Sequence, residues 1–323
     1  MQSSSVLSIC IPAYNRPDWL KRALTSITVA NSEVWQIEII VSDDSSNPAC
    51  AEVAQEILEN WCGKWQYLAN QPRLGMAENW NHSIQVASGE YVLVLHDDDF
   101  LYAGVAGNIL KAISRYRKQH PILLFSVQVV NEKERVLKKQ TFKNLQYLPP
   151  QKALINLLSN SSFVRFPAIV IQRRVFEEVG YFNPALGEPT DIDMWIRLFS
   201  RYGVLCLPFT TCAYTVHSQA LTMGAFHEKT VGTLLEFFDQ VSNLNLLNSS
   251  ELRVCKARFF HQFILAGTYR KMRQGNLSDA CASIQLFKIP DLANLKIPMK
   301  WLMIRRLFEI ILRGYCCFNC LSR

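Results

Sequence analysis

Three groups of carboxylates punctuate this chain: Asp43-Asp44, Asp97-Asp98-Asp99, and Asp191 with Asp193. The middle group follows Tyr91-Val-Leu-Val-Leu95, an unbroken apolar run that reads as a buried central strand. Three adjacent carboxylates repel one another. A divalent cation such as Mg²⁺ or Mn²⁺ relieves that repulsion and keeps coordination positions open for substrate phosphates. An acidic turn would account for an Asp pair, but the third Asp and the strand feeding it favour the metal. Each group ends or adjoins a predicted strand. In an open α/β sheet the carboxyl ends of strands bind ligands, so the three groups can share one cleft. Asp191 stands at the start of a predicted helix over residues 194–201, where the helix dipole favours its ionised form. The plainer readings are a turn for Asp43-Asp44-Ser45, an N-cap for Asp191 and a loop histidine for His217. Asp193 reads as a supporting group, and Trp80 and Trp195 as core-facing helix residues.

The elements that must position these groups alternate. Residues 6–11 read as the first strand, followed by the loop Pro12-Ala-Tyr-Asn-Arg-Pro17, with Asn15 as cap of a helix that has Pro17 in its first turn. Strands over 37–41 and 65–68 enclose a helix from Pro48 to about Trp61. A further helix runs from the Arg73–Asn81 segment to Gly89, read as its C-terminal glycine. The central strand comes next. This β-α alternation predicts an α/β fold with a mixed, mostly parallel sheet flanked by helices. Helices at 104–118 and 150–158, strands at 122–130, 168–171 and 204–207, and a solvated turn at Glu132–Arg135 complete the first region. Helical periodicity dominates after about residue 225. The expected domains are therefore 1–225, catalytic, and 226–323, a helical C-terminal region.

The 323 residues are 49% hydrophobic and 19% charged, with a net charge of +7. The basic residues are dispersed, without the concentrated block and aromatic platforms of a nucleic-acid binder, so no nucleic-acid partner is expected. The start of the chain lacks a signal-peptide pattern, and its ten cysteines read as reduced thiols of a cytoplasmic protein. No apolar run is long enough to predict a transmembrane helix.

The motifs together resemble family 2 glycosyltransferases of the GT-A fold, a Rossmann-like architecture. The similarity is carried by Ile11-Pro-Ala-Tyr-Asn15, Ile39-Ile-Val-Ser-Asp-Asp-Ser45, Gly75-Met-Ala-Glu-Asn-Trp-Asn81 and Gly89-Glu-Tyr-Val92. It continues in Leu95-His-Asp-Asp-Asp-Phe100, which resembles the DXD motif, and in Gly180-Tyr-Phe182 with Thr190-Asp-Ile-Asp-Met-Trp-Ile-Arg197. The pieces keep family order from about residue 6 to 222. The resemblance implies a nucleotide-sugar donor, a UDP-sugar, held by Pro12, Ala13, Tyr14, Asn15, Asp44, Arg73, Asp97 and Asp98. It implies Asp99 and His217 at a Mg²⁺ or Mn²⁺ ion, and Asp191 as general base of an inverting transfer to a glycan or lipid-linked acceptor, as in cell-surface polysaccharide assembly. The chemistry agrees, since such a transfer needs a base for the acceptor hydroxyl and a cation for the leaving diphosphate. The chain departs from many relatives at His96, Thr190 and Thr215, where Asp, Glu and Arg are common. It lacks the Gln-x-x-Arg-Trp signature of processive synthases, so a single addition is expected.

Two other classes compete: a nucleotidyltransferase and a catalytically inactive nucleotide-sugar-binding protein. The first normally has a Gly-rich basic phosphate loop, which Pro12–Asn15 is not; activity separates the second. A dinucleotide oxidoreductase is excluded by the missing Gly-x-Gly-x-x-Gly. Residues 298–313 predict an amphipathic helix with Trp301, Ile304, Leu307, Phe308 and Ile311 on one face and Arg305, Arg306, Glu309 and Arg313 on the other. Such a helix either lies peripherally on the inner face of the cell membrane or packs against the C-terminal helices.

Overall fold

The computed structural model describes residues 5–29, 34–217, 226–296 and 299–320. The predicted boundary at residue 225 and the predicted helix start at Pro298 lie outside the described residues. Runs of Ile, Val and Leu form β1 (Leu7–Ala13), β2 (Ile37–Asp43) and β4 (Tyr91–Val94), every residue of which is buried. That is the pattern of strands covered on both faces. β3 (Lys64–Ala69), at one end of the sheet, is only half-buried. The chain adds β5 (Phe100–Leu101), β6 (Ile122–Asn131), β7 (Val136–Gln140), β8 (Gln146–Leu148), β9 (Ile169–Gln172) and β10 (Val204–Val216). The order along the sheet is β3-β2-β1-β4-β9-β6-β10-β5, with β7 on β6 and β8 on β10.

β1 runs parallel to β2 and β4, and β2 parallel to β3. β9 is antiparallel to both β4 and β6, and β10 returns parallel to β6. The sheet is thus mixed, with a parallel block where the β-α alternation predicted one. The chain builds outward from β1 to β3 and then returns to β4 on the other side of β1. That reversal opens a crevice at the carboxyl ends of β1 and β4, the usual ligand position in such sheets. Helices Pro17–Thr28, Ala49–Leu58, Met76–Val86 and Val105–Tyr116 cover the sheet with apolar stripes; Leu20, Ala23, Leu24 and Ile27 form the first.

Local structure differs from the sequence reading in four places. Asn15 does not cap a helix. It adopts a left-handed φ of 52°, and its Oδ1 accepts from Ser46 N at 3.1 Å, joining the loops after β1 and β2. Gly89 is no helix C-cap, because the helix ends at Val86. Gly89 N instead donates to Ser8 Oγ at 2.9 Å, and a Cβ there would stand 2.7 Å from Ser8 N. The last strand does not stop at Leu207: β10 continues to Val216 through register shifts around Pro208, a bulge that accommodates a residue lacking N–H. The turn at Glu132–Arg135 joins β6 to β7, a strand too polar to announce itself.

The chain forms two compact units, residues 1–150 with 164–217, and residues 151–163 with 218–323. The second takes in the helix Pro150–Ser159 from its second residue onward, with helices Glu228–Asn243, Ser249–Arg273, Leu277–Gln285, Pro290–Ala293 and Met299–Cys320. Its core is aromatic: Phe238 packs against Phe259 and Phe260 at centroid distances of 5.7 and 5.5 Å. Asn248 and Glu251 form a reciprocal capping box at the start of its longest helix.

Candidate active site

Parallel strands end in register, so their terminal carboxylates are brought together. Asp43 ends β2 and Asp44 follows it, and Asp97 to Asp99 follow β4 with His96. Asp43 is consumed by turn chemistry: its Oδ1 accepts from Ser45 N at 2.9 Å, and its Oδ2 accepts from Tyr67 OH. Asp44 is 4% exposed and accepts from Asn70 Nδ2 (2.9 Å), Leu74 N (3.1 Å) and Gly75 N (2.7 Å). Above it, the Arg73 guanidinium lies 3.9 Å from the Tyr14 ring centroid and donates to Tyr14 OH at 3.0 Å. Both side chains are exposed, and together they offer a flat cationic and aromatic surface. Pro12 and Ala13, buried at the end of β1, form the floor beside it.

The second group is arranged differently. Arg16 grips two carboxylates at once, with Nη2 2.6 Å from Asp97 Oδ1 and Nη1 2.7 Å from Asp98 Oδ2. Burial still pushes Asp97 up to about 7, against the pull of Arg16. Burial also acts on Asp98, but the hydrogen bond from His217 and the charge of Arg16 outweigh it and hold Asp98 down at about 2. Asp99 is fully buried and raised well above the usual carboxylate range by that burial and by the Asp98 charge. Its Oδ1 accepts from Thr215 N at 2.8 Å; its Oδ2 is buried without a partner.

His96 Nε2 is likewise buried and unpartnered, and burial pushes this imidazole down to about 4. The donor atoms of His96, Asp98 and Asp99 lie within 4.8 Å of one another, the one such group among the described residues. Two orphaned atoms, one on an imidazole and one on a carboxylate, beside the second carboxylate of Asp98 fit a divalent cation, because a neutral imidazole and carboxylates are the forms that ligate. His217, expected at the metal, has its Nε2 2.9 Å from Asp98 Oδ2 and falls outside that convergent group. The sequence reading treated His96 only as a departure from its relatives. The structure brings its imidazole to the carboxylates of Asp98 and Asp99.

Asp191 lies on the helix Thr190–Tyr202, which starts behind Pro189 without a side-chain cap, so Asp191 is not the N-cap. Its Oδ1 accepts from Ile192 N at 2.7 Å, and among the described residues no side chain donates to it. Burial raises it to about 6, outweighing the stabilising amides of the helix start. Asp191 therefore titrates nearer neutrality than the helix dipole alone predicts, which suits a base. Asp193 is tied to Arg197 (2.7 Å), whose guanidinium also donates to the carbonyls of Val179 and Tyr181.

A block of rings lies between the His96, Asp98 and Asp99 group and this helix. His96 packs on Phe166 (4.4 Å) and Trp80 (5.1 Å), and Phe166 and Phe182 pack on Trp195 (5.3 and 6.0 Å). Trp80 and Trp195 are buried, as expected. Arg165 escaped the sequence reading. It lies over the Tyr214 ring at 4.4 Å, its Nε is buried without a partner, and its charge acts on both Asp99 and Asp191. Nothing in its sequence neighbourhood announces this. Arg16 and Arg22 were more accessible to inference: they follow the Pro12–Asn15 loop, and Arg22 donates to the Asp98 carbonyl and to Thr215 Oγ1 (2.9 Å).

A GT-A-like α/β sheet with carboxylates at the reversal of strand order defines a class of nucleotide-dependent transferase folds. The model of glycosyl transferase family 2 matches residues 8–180, more than half of the chain, and the chain belongs to that family. It is 28% identical over 215 residues to an uncharacterized protein of Mycobacterium tuberculosis, covering 63% of this chain and 65% of that one. It is also 28% identical over 200 residues to the GalNAc(5)-diNAcBac-PP-undecaprenol beta-1,3-glucosyltransferase of Campylobacter jejuni, covering 60% of each. The match thus spans less than two thirds of the length of either relative. Among solved structures, S. aureus TarS 1-349 in complex with UDP-GlcNAc is similar at a TM-score of 0.62 and 17% identity, covering 96% of this chain and 87% of that one. A Pyrobaculum calidifontis mannosyltransferase with GDP-Man and Mn²⁺ is similar at 0.56 and 14%, covering 97% and 87%. These likenesses show the fold.

Proposed function

We propose that the chain is an inverting, metal-dependent glycosyltransferase that moves one sugar from a UDP-sugar to a hydroxyl of a glycan or lipid-linked acceptor. The observation that carries this reading is the pairing of His96, Asp98 and Asp99, whose donors converge, with Asp191, whose carboxylate is raised to about 6 and has no side-chain donor among the described residues. Family membership supports it, as do the nucleotide sugars named with TarS and the mannosyltransferase.

In this reading Tyr14 and Arg73 stack on the base, with Asp44, Pro12, Ala13 and Asn15 shaping the pocket beneath it. Asp97, with Arg16, faces the ribose and diphosphate. His96, Asp98 and Asp99 would hold the cation, with His217 orienting Asp98, and the mixed imidazole and carboxylate set suits Mn²⁺ better than the all-oxygen preference of Mg²⁺. The bound cation would neutralise charge growing on the departing diphosphate. Asp191 takes the proton of the acceptor hydroxyl as that oxygen attacks the anomeric carbon from the face opposite the leaving group, so configuration inverts. The C. jejuni relative's name specifies an undecaprenol-linked substrate, which supports a lipid-linked acceptor.

The test is a screen of UDP- and GDP-sugars for hydrolysis with Mn²⁺. UDP-sugar turnover that stops in chelator and returns with Mn²⁺ supports the reading. Turnover unaffected by chelator, or no binding of any nucleotide sugar, overturns it.

A further inference from the structure

Up to Arg313, the helix Met299–Cys320 carries two apolar stripes, and among the described residues only one packs against the fold. At 3.6 residues per turn, Trp301, Ile304, Phe308 and Leu312 line one side. That side packs: Leu312 is 2% exposed, its carbonyl accepts from Cys281 Sγ, and the Phe308 ring stacks on Tyr269 at 6.4 Å. The face predicted from sequence is therefore split. Leu307 and Ile311, assigned to it, belong with Met299, Met303 and Ile310 on the opposite side, where these five residues are 47–69% exposed. An apolar stripe of this length left in water marks an interaction surface.

We infer that this second stripe docks on an anionic lipid bilayer, lying in the headgroup plane. The charges choose the partner. The helix has four basic residues and one acid, and that acid, Glu309, is spent on Arg305 at 2.9 Å. Arg306 and Arg313 flank the exposed stripe and are themselves exposed. Apolar residues bordered by unneutralised arginines match an interfacial helix on acidic headgroups. A second copy of the chain fits poorly. A two-fold contact through this stripe would set the Arg306 and Arg313 pairs of two chains, each of net charge +7, against each other. Spanning is excluded for this helix, because no helix of the described residues is long and apolar enough to cross a membrane. The glycosyl-transfer reading enters only for what the chain meets there, a lipid-linked hydroxyl.

The experiment is sedimentation of the full chain with vesicles of mixed phosphatidylglycerol and phosphatidylcholine, and with phosphatidylcholine alone, with light scattering of the free protein. The chain binds the anionic vesicles, and binding weakens as salt rises. Arg306→Ala with Arg313→Ala lowers the partition coefficient about 25-fold. Leu307→Ser, Ile310→Ser and Ile311→Ser together abolish it while circular dichroism and nucleotide-sugar hydrolysis stay at the wild-type level, so a failure of docking is distinguished from a failure of catalysis. Absence of binding by the full chain, or binding unchanged in the triple variant, overturns the inference. So does a wild-type dimer that the triple variant turns into monomer, since the stripe would then be covered by a second copy.

Discussion

Asp44 and Asp99 are both buried carboxylates just beyond the ends of central strands, yet the protein treats them oppositely. Asp44 is saturated by Asn70 and by the N–H groups of Leu74 and Gly75, so its charge is spent holding a loop. Asp99 has one N–H for two oxygens and a charged neighbour in Asp98, so its burial works against the fold. A buried charge with full hydrogen bonding is a structural part. A buried carboxylate left short of partners is costly to ionise, and the rest of the structure holds it there, which is how reactive sites are built.

The sharpest way to break this contrast is Asp99→Asn. Transfer should fall by ~10³-fold or more, the scale of losing metal charge stabilisation. Urea stability without metal should stay equal or rise, because a repulsion is removed. If metal-free stability drops instead, Asp99 is a structural group like Asp44. Next in size, Asp191→Asn should lower turnover by ~10²- to 10⁴-fold at unchanged donor affinity. The wild-type rate should fall as pH drops through about 6, because the base works only when ionised and burial has raised its titration to that value. A rate that is flat down to pH 4.5 would remove Asp191 from the role.

The mirror experiment is Asp44→Ala. It should destabilise the fold by about 2–3 kcal/mol, since the buried Asn70 amide and two half-buried backbone N–H groups lose their acceptor. Chemical denaturation measures this; a change below about 0.5 kcal/mol would show that Asp44 is not the loop's anchor. Saturating Mn²⁺ should raise the melting temperature, by about 2.7 kcal/mol of added stability at a hundredfold excess over Kd, and His96→Ala should cancel most of that gain. The smallest effect belongs to Arg73→Ala, which should raise the donor KM about threefold to fivefold, the scale of an exposed cation–π contact. An unchanged KM would place the base elsewhere.

Much of this was legible in the sequence because it depends on local pattern. Apolar runs fixed β1, β2 and β4, and the parallel alternation placed Asp44, Asp97, Asp98 and Asp99 at one end of the sheet. What the sequence hid depends on long-range packing. His96 looked like a substitution in a familiar motif, and only its burial between Trp80 and Phe166 reveals an imidazole kept neutral. Arg165 lies 66 positions from Asp99 and 26 from Asp191, and no periodicity relates the three. β10 runs past Leu207 through Pro208, and the bulge that admits this proline exists only against β6. The C-terminal helix has apolar residues all round, and one-dimensional patterning cannot say which side finds a neighbour.

The ring block from Trp80 and His96 through Phe166 and Phe182 to Trp195 has one further consequence. Close-packed aromatic cores are nearly incompressible. The separation between the group that would receive the proton and the group that would steady the departing diphosphate is therefore set by a solid spacer, not by loops. Loops around the crevice can be exchanged to admit a different sugar or acceptor while the spacer keeps its thickness. A cavity in it, such as Phe166→Ala, would keep the chemistry of every ligating and titrating side chain and detune the distance between them. A chain built this way can change what it handles without relearning how to react.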